Sequence, residues 1–208
     1  MLLLSPAILL LLPGPPAAGV LPRGHLPYSE APEESLVDLE GVRVRRNLVE
    51  PLSRLLAAAR KDGINLKASV AFRSVPLQRS IYESGARKKG ISLRSYAWWT
   101  APPGFSEHHT GLAVDFVDAS RPKASFTPDL FKRTTAFTWL KAHAPSFGFE
   151  QSFPEGNRLR VAFEPWHWRF VGDGESRTIF AMAREGRYAQ DGTTLSPTHT
   201  PATRRENH

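Results

Sequence analysis

Two short stretches restrict this chain more than any other feature. The first is Pro102-Pro103-Gly104-Phe105-Ser106-Glu107-His108-His109-Thr110-Gly111-Leu112-Ala113-Val114-Asp115-Phe116, which sets an imidazole and a carboxylate seven residues apart across a glycine. The second is Phe163-Glu164-Pro165-Trp166-His167-Trp168-Arg169-Phe170-Val171-Gly172, which adds another imidazole with a carboxylate three residues before it. Two histidines and one carboxylate are the ligand set of a catalytic zinc site that keeps a position open for water. If His108, Asp115 and His167 share one ion, the fold has to bring together segments far apart in the chain. Glu164 is then available as the base that handles the water's proton.

The spacing constrains local structure as well. Thr110, Gly111, Val114, Phe116 and Val117 argue for a strand rather than a helix. On one uninterrupted strand an odd separation puts two side chains on opposite faces. His108 is therefore expected in a loop before the strand, with Gly111 bending the backbone and Asp115 inside the strand. Taken alone, the pair reads more simply as a surface histidine and a buried aspartate capping a turn. In the second stretch Pro165 pushes Glu164 toward extended geometry. Glu164 can then approach the ion from a strand end, and His167 from the turn that follows. Trp166 and Trp168 are expected to flank the site and raise the basicity of Glu164 by lowering the local dielectric. An aromatic core segment with one satisfied histidine is the plainer alternative for this stretch.

The chain has 208 residues and 41% hydrophobic content, enough for one domain with a core plus a leader and a tail. Its formal charge of +7 suits an acidic polymer as partner, but the basic residues are dispersed and never form a run of five. Nucleic acid is therefore not the expected partner; an anionic cell envelope fits. The absence of cysteine removes thiolate metal sites, disulfides, cysteine nucleophiles and a lipoprotein anchor, and is compatible with export. Residues 1–18 are apolar and uncharged, with a core at Ala7–Leu12 too short to span a bilayer, broken by Pro13, Gly14, Pro15 and Pro16 and followed by Ala17-Ala18. This pattern predicts a signal peptide, hence a protein of the periplasm or cell envelope without an integral membrane domain beyond the leader. A monomer is expected.

Residues 19–35, with Pro22, Pro27 and Pro32, read as an extended arm lying on a domain that spans 36–188. Apolar spacing predicts a helix over 44–62 ended by Gly63, and Lys67–Phe72 alternates as a strand. Pro76 opens a helix expected to turn Leu77, Ile81 and Tyr82 inward. A buried strand follows over 111–117, a helix over 131–142, a short strand after Phe147-Gly148, another strand over 159–163, and a last helix over 175–187. Residues 189–208 show no periodicity and read as a disordered tail. Irregular alternation with short connections predicts an α+β fold, a small single domain with a central, mainly antiparallel sheet flanked by helices.

Ser106-x-His108-x-x-Gly111-x-Ala113-x-Asp115 together with Glu164-Pro165-Trp166-His167 resembles the zinc D-alanyl-D-alanine carboxypeptidases of the VanY type, in peptidase family M15. The family's upstream strand ending, Tyr-Arg-Ser, reads Phe72-Arg73-Ser74 here, with Gln78 on the following helix. The glutamine that often follows the first zinc histidine is His109. Neither departure touches a ligand, and the resemblance runs from about His25 to Tyr188.

The resemblance implies that His108, Asp115 and His167 bind Zn2+ and that Glu164 is the general base. It further implies that Arg73 stabilises the oxyanion or holds substrate, and that Ser106 and Gln78 line the substrate pocket. The implied reaction is release of the C-terminal D-alanine from peptidoglycan stem peptides. An L,D-carboxypeptidase or D,D-dipeptidase of the same fold, and a noncatalytic wall-binding module, are the alternatives; the last has no need of Glu164. His109 reads as a neighbour of the site rather than a ligand, and Asp118 as a turn residue. Trp98 and Trp99 line a peptide groove or pack as core.

Overall fold

The computed structural model describes residues 24–187; the expected leader and the expected tail lie outside them. The chain first forms a hairpin of β1 (Leu36–Leu39) and β2 (Val42–Arg45), turned at Glu40-Gly41, where both residues have positive φ. After α1 (Val49–Lys61) come β3 (Leu66–Val70), α2 (Val75–Lys89), the short α3 (Leu93–Tyr96) and β4 (Ala113–Asp118). Then follow α4 (Pro128–Phe131), α5 (Thr135–His143), β5 (Phe149–Gln151), β6 (His167–Phe170) and α6 (Gly174–Arg184). The main sheet has the spatial order β3-β4-β6-β5, and each neighbouring pair is antiparallel. This is the expected α+β architecture. Among the described residues no helix is long and apolar enough to cross a membrane.

Strand alternation divides the sheet into an apolar and a polar face. Val114, Phe116, Trp168 and Phe170 join the hydrophobic core with Leu52 and Leu55 of α1. Asp115 and His167, one residue out of phase, belong to the other face. The α1 helix forms because Leu52, Leu55, Leu56 and Ala59 make one buried stripe, with Pro51 confined to the first turn where no N–H is missed. Ser74 caps α2 by accepting from the Leu77 N–H, and Gly90 ends it in the left-handed region.

Several elements differ from expectation. The helix predicted over 44–62 starts later, because Val42 and Val44 alternate inward as strand β2 after the Glu40-Gly41 turn, and Arg46–Leu48 is a 3-10 turn. Leu77 is 52% exposed, whereas Gln78 is fully buried. The helix is rotated toward Gln78 because its amide is bonded at both ends, as described below. The helix over 131–142 is split, since Thr134 caps a new one by accepting from the Phe137 N–H. No strand forms over 159–163: Arg160 has φ 54°, and the Asn157 side chain bonds both Pro154 and Val161 backbones, closing a loop. The strand is β6 instead, whose His-Trp-Arg-Phe alternation carries the period of two.

Residues 24–31 lie against the loops of the polar face. The Tyr28 N–H donates to Gly104 and the Ala31 N–H to His109, while the His25 imidazole bonds the Ala97 carbonyl at 2.7 Å. Between these contacts the Glu107–Thr110 3-10 turn delivers His108 and closes at Gly111, φ 68°. A Cβ on Gly111 would meet Leu36 Cδ2 at 3.0 Å and the Arg45 nitrogen at 3.1 Å. Gly111→Ala should therefore cost about 1–3 kcal/mol from left-handed strain and overpacking. Urea denaturation of the metal-free protein measures it; an unchanged midpoint would refute the argument.

Candidate functional site

Asp115 on β4 pairs directly with His167 on β6. Residues opposite each other in antiparallel strands project to the same face, so the register alone sets carboxylate beside imidazole. His167 Nδ1 lies 2.9 Å from Asp115 Oδ1, and His108 Nε2 lies 3.3 Å from Asp115 Oδ2. His108 reaches this point from the turn before β4, which resolves the odd separation of the pair. A ligand atom from each of the three residues falls within 4.8 Å of the others, and all three side chains are buried. Among the described residues this is the one such cluster.

The outer nitrogens are already engaged. His108 Nδ1 donates to the Ala71 carbonyl at 2.8 Å, which turns Nε2 inward. His167 Nε2 meets the Glu107 carboxylate at 2.9 Å, which leaves Nδ1 on the side of Asp115. His108 Nε2, the Asp115 carboxylate and His167 Nδ1 thus face one point, and once the Nδ1 proton is given up they make the donor set that suits zinc.

Glu164 enters from the turn before β6. Pro165 takes the second position of that turn, which the His167 N–H closes onto the Glu164 carbonyl at 3.2 Å. Its carboxylate lies 3.9 Å from His167 Nδ1 and keeps 23% side-chain exposure, so it borders the site and the opening together. Burial pushes its carboxyl up to about 7, against the pull of His167. The apolar wall differs from expectation. Trp166 packs on Phe126 and Phe131, and Trp168 joins the core, so both lie on the far side of the strand. The ring beside His167 is Phe153, at 4.9 Å.

Arg73 follows the end of β3. Its backbone is fixed twice, by donating to the His108 carbonyl and by accepting from His109 Nδ1 at 2.6 Å. Its guanidinium donates to Gln78 Oε1 at 2.8 Å, and Gln78 in turn donates to the Ala101 carbonyl at 2.5 Å. Burial lowers the Arg73 pKa, opposed by Asp115 and Glu164, the carboxylates whose field it feels. His109 accepts from the Gly104 N–H at its other nitrogen, so it is a neutral brace and not part of the cluster. Burial holds its pKa down at about 4. Ser106 is buried, and its hydroxyl caps the turn that carries His108. Asp118 does accept from the Ser120 N–H in a turn. Trp98 lines an open groove with Asn157, Arg160 and Phe163, next to Glu164 in the chain.

The sequence reading missed Glu107. It is 3% exposed and bonded to His167, Ser152, Arg169 and Tyr28. Burial would raise its pKa, but Arg169 and the bonded His167 outweigh that and hold it well below the usual carboxylate range. The signal was in the sequence as a carboxylate flanking His108, together with Arg169 alternating with His167 on β6.

The family description of VanY, D-alanyl-D-alanine carboxypeptidase, matches residues 41–173. The chain belongs to the VanY family. YodJ of Bacillus subtilis (strain 168) is 31% identical over 138 residues, covering 65% of this chain and 49% of YodJ. The chain spans about half the length of the curated relatives it matches. The solved LD-carboxypeptidase LdcB is 29% identical with a TM-score of 0.57, over 74% of this chain and 70% of that one. The vancomycin-resistance D,D-pentapeptidase VanY, solved as a glutamate-to-alanine mutant in complex with Zn(II), is 26% identical with a TM-score of 0.57, over 76% and 93%.

The protonation of the cluster makes a prediction about metal uptake. Burial opposes the charged form of His167, yet its bonds to Asp115 and Glu107 raise it to about 10. His108 is lowered by burial and starts neutral, and Asp115 is held ionised by the two histidines although burial opposes it. One proton, at His167 Nδ1, therefore has to leave when zinc binds. At pH 6, calorimetry in buffers of different ionisation enthalpy should find between about one and two protons released per ion, one from His167 Nδ1 and a fraction from Glu164, whose carboxyl stands at about 7 without the ion and is lowered by its charge, with affinity rising as pH rises. Release of none would mean that Asp115 and Glu107 do not hold a proton on His167.

Proposed function

We propose that this protein is a zinc-dependent D-alanyl-D-alanine carboxypeptidase that releases the C-terminal D-alanine from peptidoglycan stem peptides. The observation that carries this reading is the convergence of His108, Asp115 and His167 beside a carboxylate at the site's opening. Membership of the VanY family and likeness to a Zn(II) complex support it. In this reading His108 Nε2, Asp115 and His167 Nδ1 hold the ion. Zinc, when bound, supplies Lewis acidity and lowers the pKa of water toward neutrality.

The protein's residues do the rest. Glu164 takes the proton from the attacking water and delivers it to the leaving amine. A pKa between the ordinary carboxylate value and neutrality suits a group that must both accept and return a proton. Arg73 faces the charge that develops on the carbonyl oxygen, and Gln78 keeps its guanidinium from swinging away. A guanidinium does not titrate in the working range, so this charge is constant. Ser106 contributes by fixing the turn beneath His108, and the groove at Trp98 and Phe163 takes the upstream part of the peptide. A wall substrate puts the working protein in the cell envelope.

The likeness to LdcB favours a second reading, an L,D-carboxypeptidase acting on tetrapeptides. Product analysis with defined tri-, tetra- and pentapeptide stems separates the two. Release of D-alanine from the pentapeptide alone is expected; release from the tetrapeptide alone would replace the first reading with the second.

Glu164→Ala should keep zinc and fold while turnover falls by about 10²–10⁴. His167→Ala should lose metal affinity together with activity. Zinc content per chain beside the rate of D-alanine release is the measurement, and reversed behaviour of the two variants would exchange their roles. The acid limb of kcat/KM should lie between the ordinary 4.5 of a glutamate and about 7, because the base works only when ionised and zinc's charge pulls it down from its metal-free value. A rate independent of pH across that window would remove Glu164 as the base.

A further inference from the structure

Glu107 occupies a place that the carboxypeptidase reading leaves without a role. A carboxylate offers about four lone-pair directions. At Glu107 four donors fill them. Oε2 accepts from His167 Nε2 at 2.9 Å and from the Ser152 hydroxyl at 2.5 Å. Oε1 accepts from an Arg169 nitrogen at 2.6 Å and from the Tyr28 hydroxyl at 3.2 Å. Nothing remains with which Glu107 could bind a metal ion itself. What it can do for the site is accept the Nε2–H of His167, and in doing so it assigns the two nitrogens of that ring.

We infer that Glu107 is a positioning residue for the metal centre, which holds His167 in the one tautomer and ring orientation that presents Nδ1 to the ion. The inference rests on the zinc-site reading above. Three features make Glu107 rigid enough for this task. It sits on the same 3-10 turn as His108, so the turn that delivers the first histidine also orients the last. Arg169, two residues beyond His167 on β6 and on the same face, is shared between Glu107 and Glu150 and lies over the Phe180 ring at 4.9 Å. Tyr28 brings the N-terminal segment into the same network. The flipped ring is excluded by the same bonds. Turning Nδ1 toward Glu107 would give up its contact with Asp115 and carry the metal-facing lone pair away from His108.

A simpler role is open to Glu107, as the buried partner of Arg169. The two differ in what they require of His167. An ion pair alone leaves the ring free to ligate through either nitrogen. A positioning role demands a protonated Nε2 and a metal at Nδ1. Glu107→Gln distinguishes them, since an amide of the same shape presents two N–H donors and cannot accept from all four groups, whichever way it is turned.

The test uses the full chain loaded with zinc and carrying 15N-labelled histidine. In the wild type the His167 ring should show Nε2 bonded to a slowly exchanging proton and Nδ1 shifted by metal. In Glu107→Gln the Nε2 proton should exchange faster, and the zinc dissociation constant, from competition with a chelator, should rise about 10–100-fold. Thermal melts of the metal-free proteins show whether the variant folds. If it does not, the wild-type spectrum still decides, because zinc at Nε2 or an unprotonated Nε2 overturns the inference by itself. A folded Glu107→Gln with wild-type zinc affinity also overturns it. Failure of the wild type to bind zinc is a separate outcome and removes the metal reading together with this one.

Discussion

The pairing of β4 with β6 holds Asp115 opposite His167, and most of the site hangs on that register. The hydrophobic alternation on the other face enforces it. A slip of β4 by one residue would turn Val114 and Phe116 toward the polar loops and Asp115 into the core, at a cost of several kcal/mol, a large share of the stability of a domain this size. The core thus fixes the position of Asp115 and His167 from the opposite face. The same argument explains why His108 comes from outside the strand. A residue on β4 itself would be held at strand spacing from Asp115, whereas the turn closed by Gly111 lets the chain fold back until Nε2 faces the same carboxylate.

Placing so much charge below the surface requires that each group be partnered. Reading outward from the cluster, Asp115 is set between His108 and His167, His167 between Asp115 and Glu107, and Glu107 between His167 and Arg169. Signs alternate along the row, and Arg169 ends it against Glu150 near solvent. On the other flank Arg73 stands near Asp115 and Glu164. Among the described residues the only buried side-chain polar atom without a partner is Asn47 Oδ1, which is not part of the site. Glu164 is the exception in another sense. It is the carboxylate that burial pushes up, to about 7, because His167 at 3.9 Å and Arg73 do not offset that burial. The group with the least satisfied charge borders the opening, where a base is useful.

The sequence was most informative where chemistry and periodicity coincided. His108, Asp115, His167 and Glu164 stood out because metal chemistry needs those types, and the β4 strand followed from local rules, whereas Glu164 and His167, expected at a strand end and in the turn after it, occupy the turn and the start of β6. The α+β class was legible from alternating patterns. What was lost was lost to competing signals. Val44 fits a helical stripe as well as an alternating strand, and only the tertiary pairing with Val37 decides for the strand. Leu77 and Gln78 look like outside-in exceptions until the bonds to Arg73 and Ala101 are seen. The 159–163 segment has strand-like composition, yet the bonds of Asn157 close it into a loop. Glu107 was passed over because a glutamate beside a histidine is usually solvated. Its burial depends on Arg169, Tyr28 and Ser152, whose approach no local pattern encodes.

The central claim is that three side chains from two distant stretches make one zinc site. Anomalous diffraction at the zinc edge from crystals of the zinc-loaded protein tests it directly. One peak is expected, about 2.0–2.2 Å from His108 Nε2, an Asp115 oxygen and His167 Nδ1, with Glu164 beside it but not ligating. A peak elsewhere, or one that leaves out any of these three residues, would contradict the account.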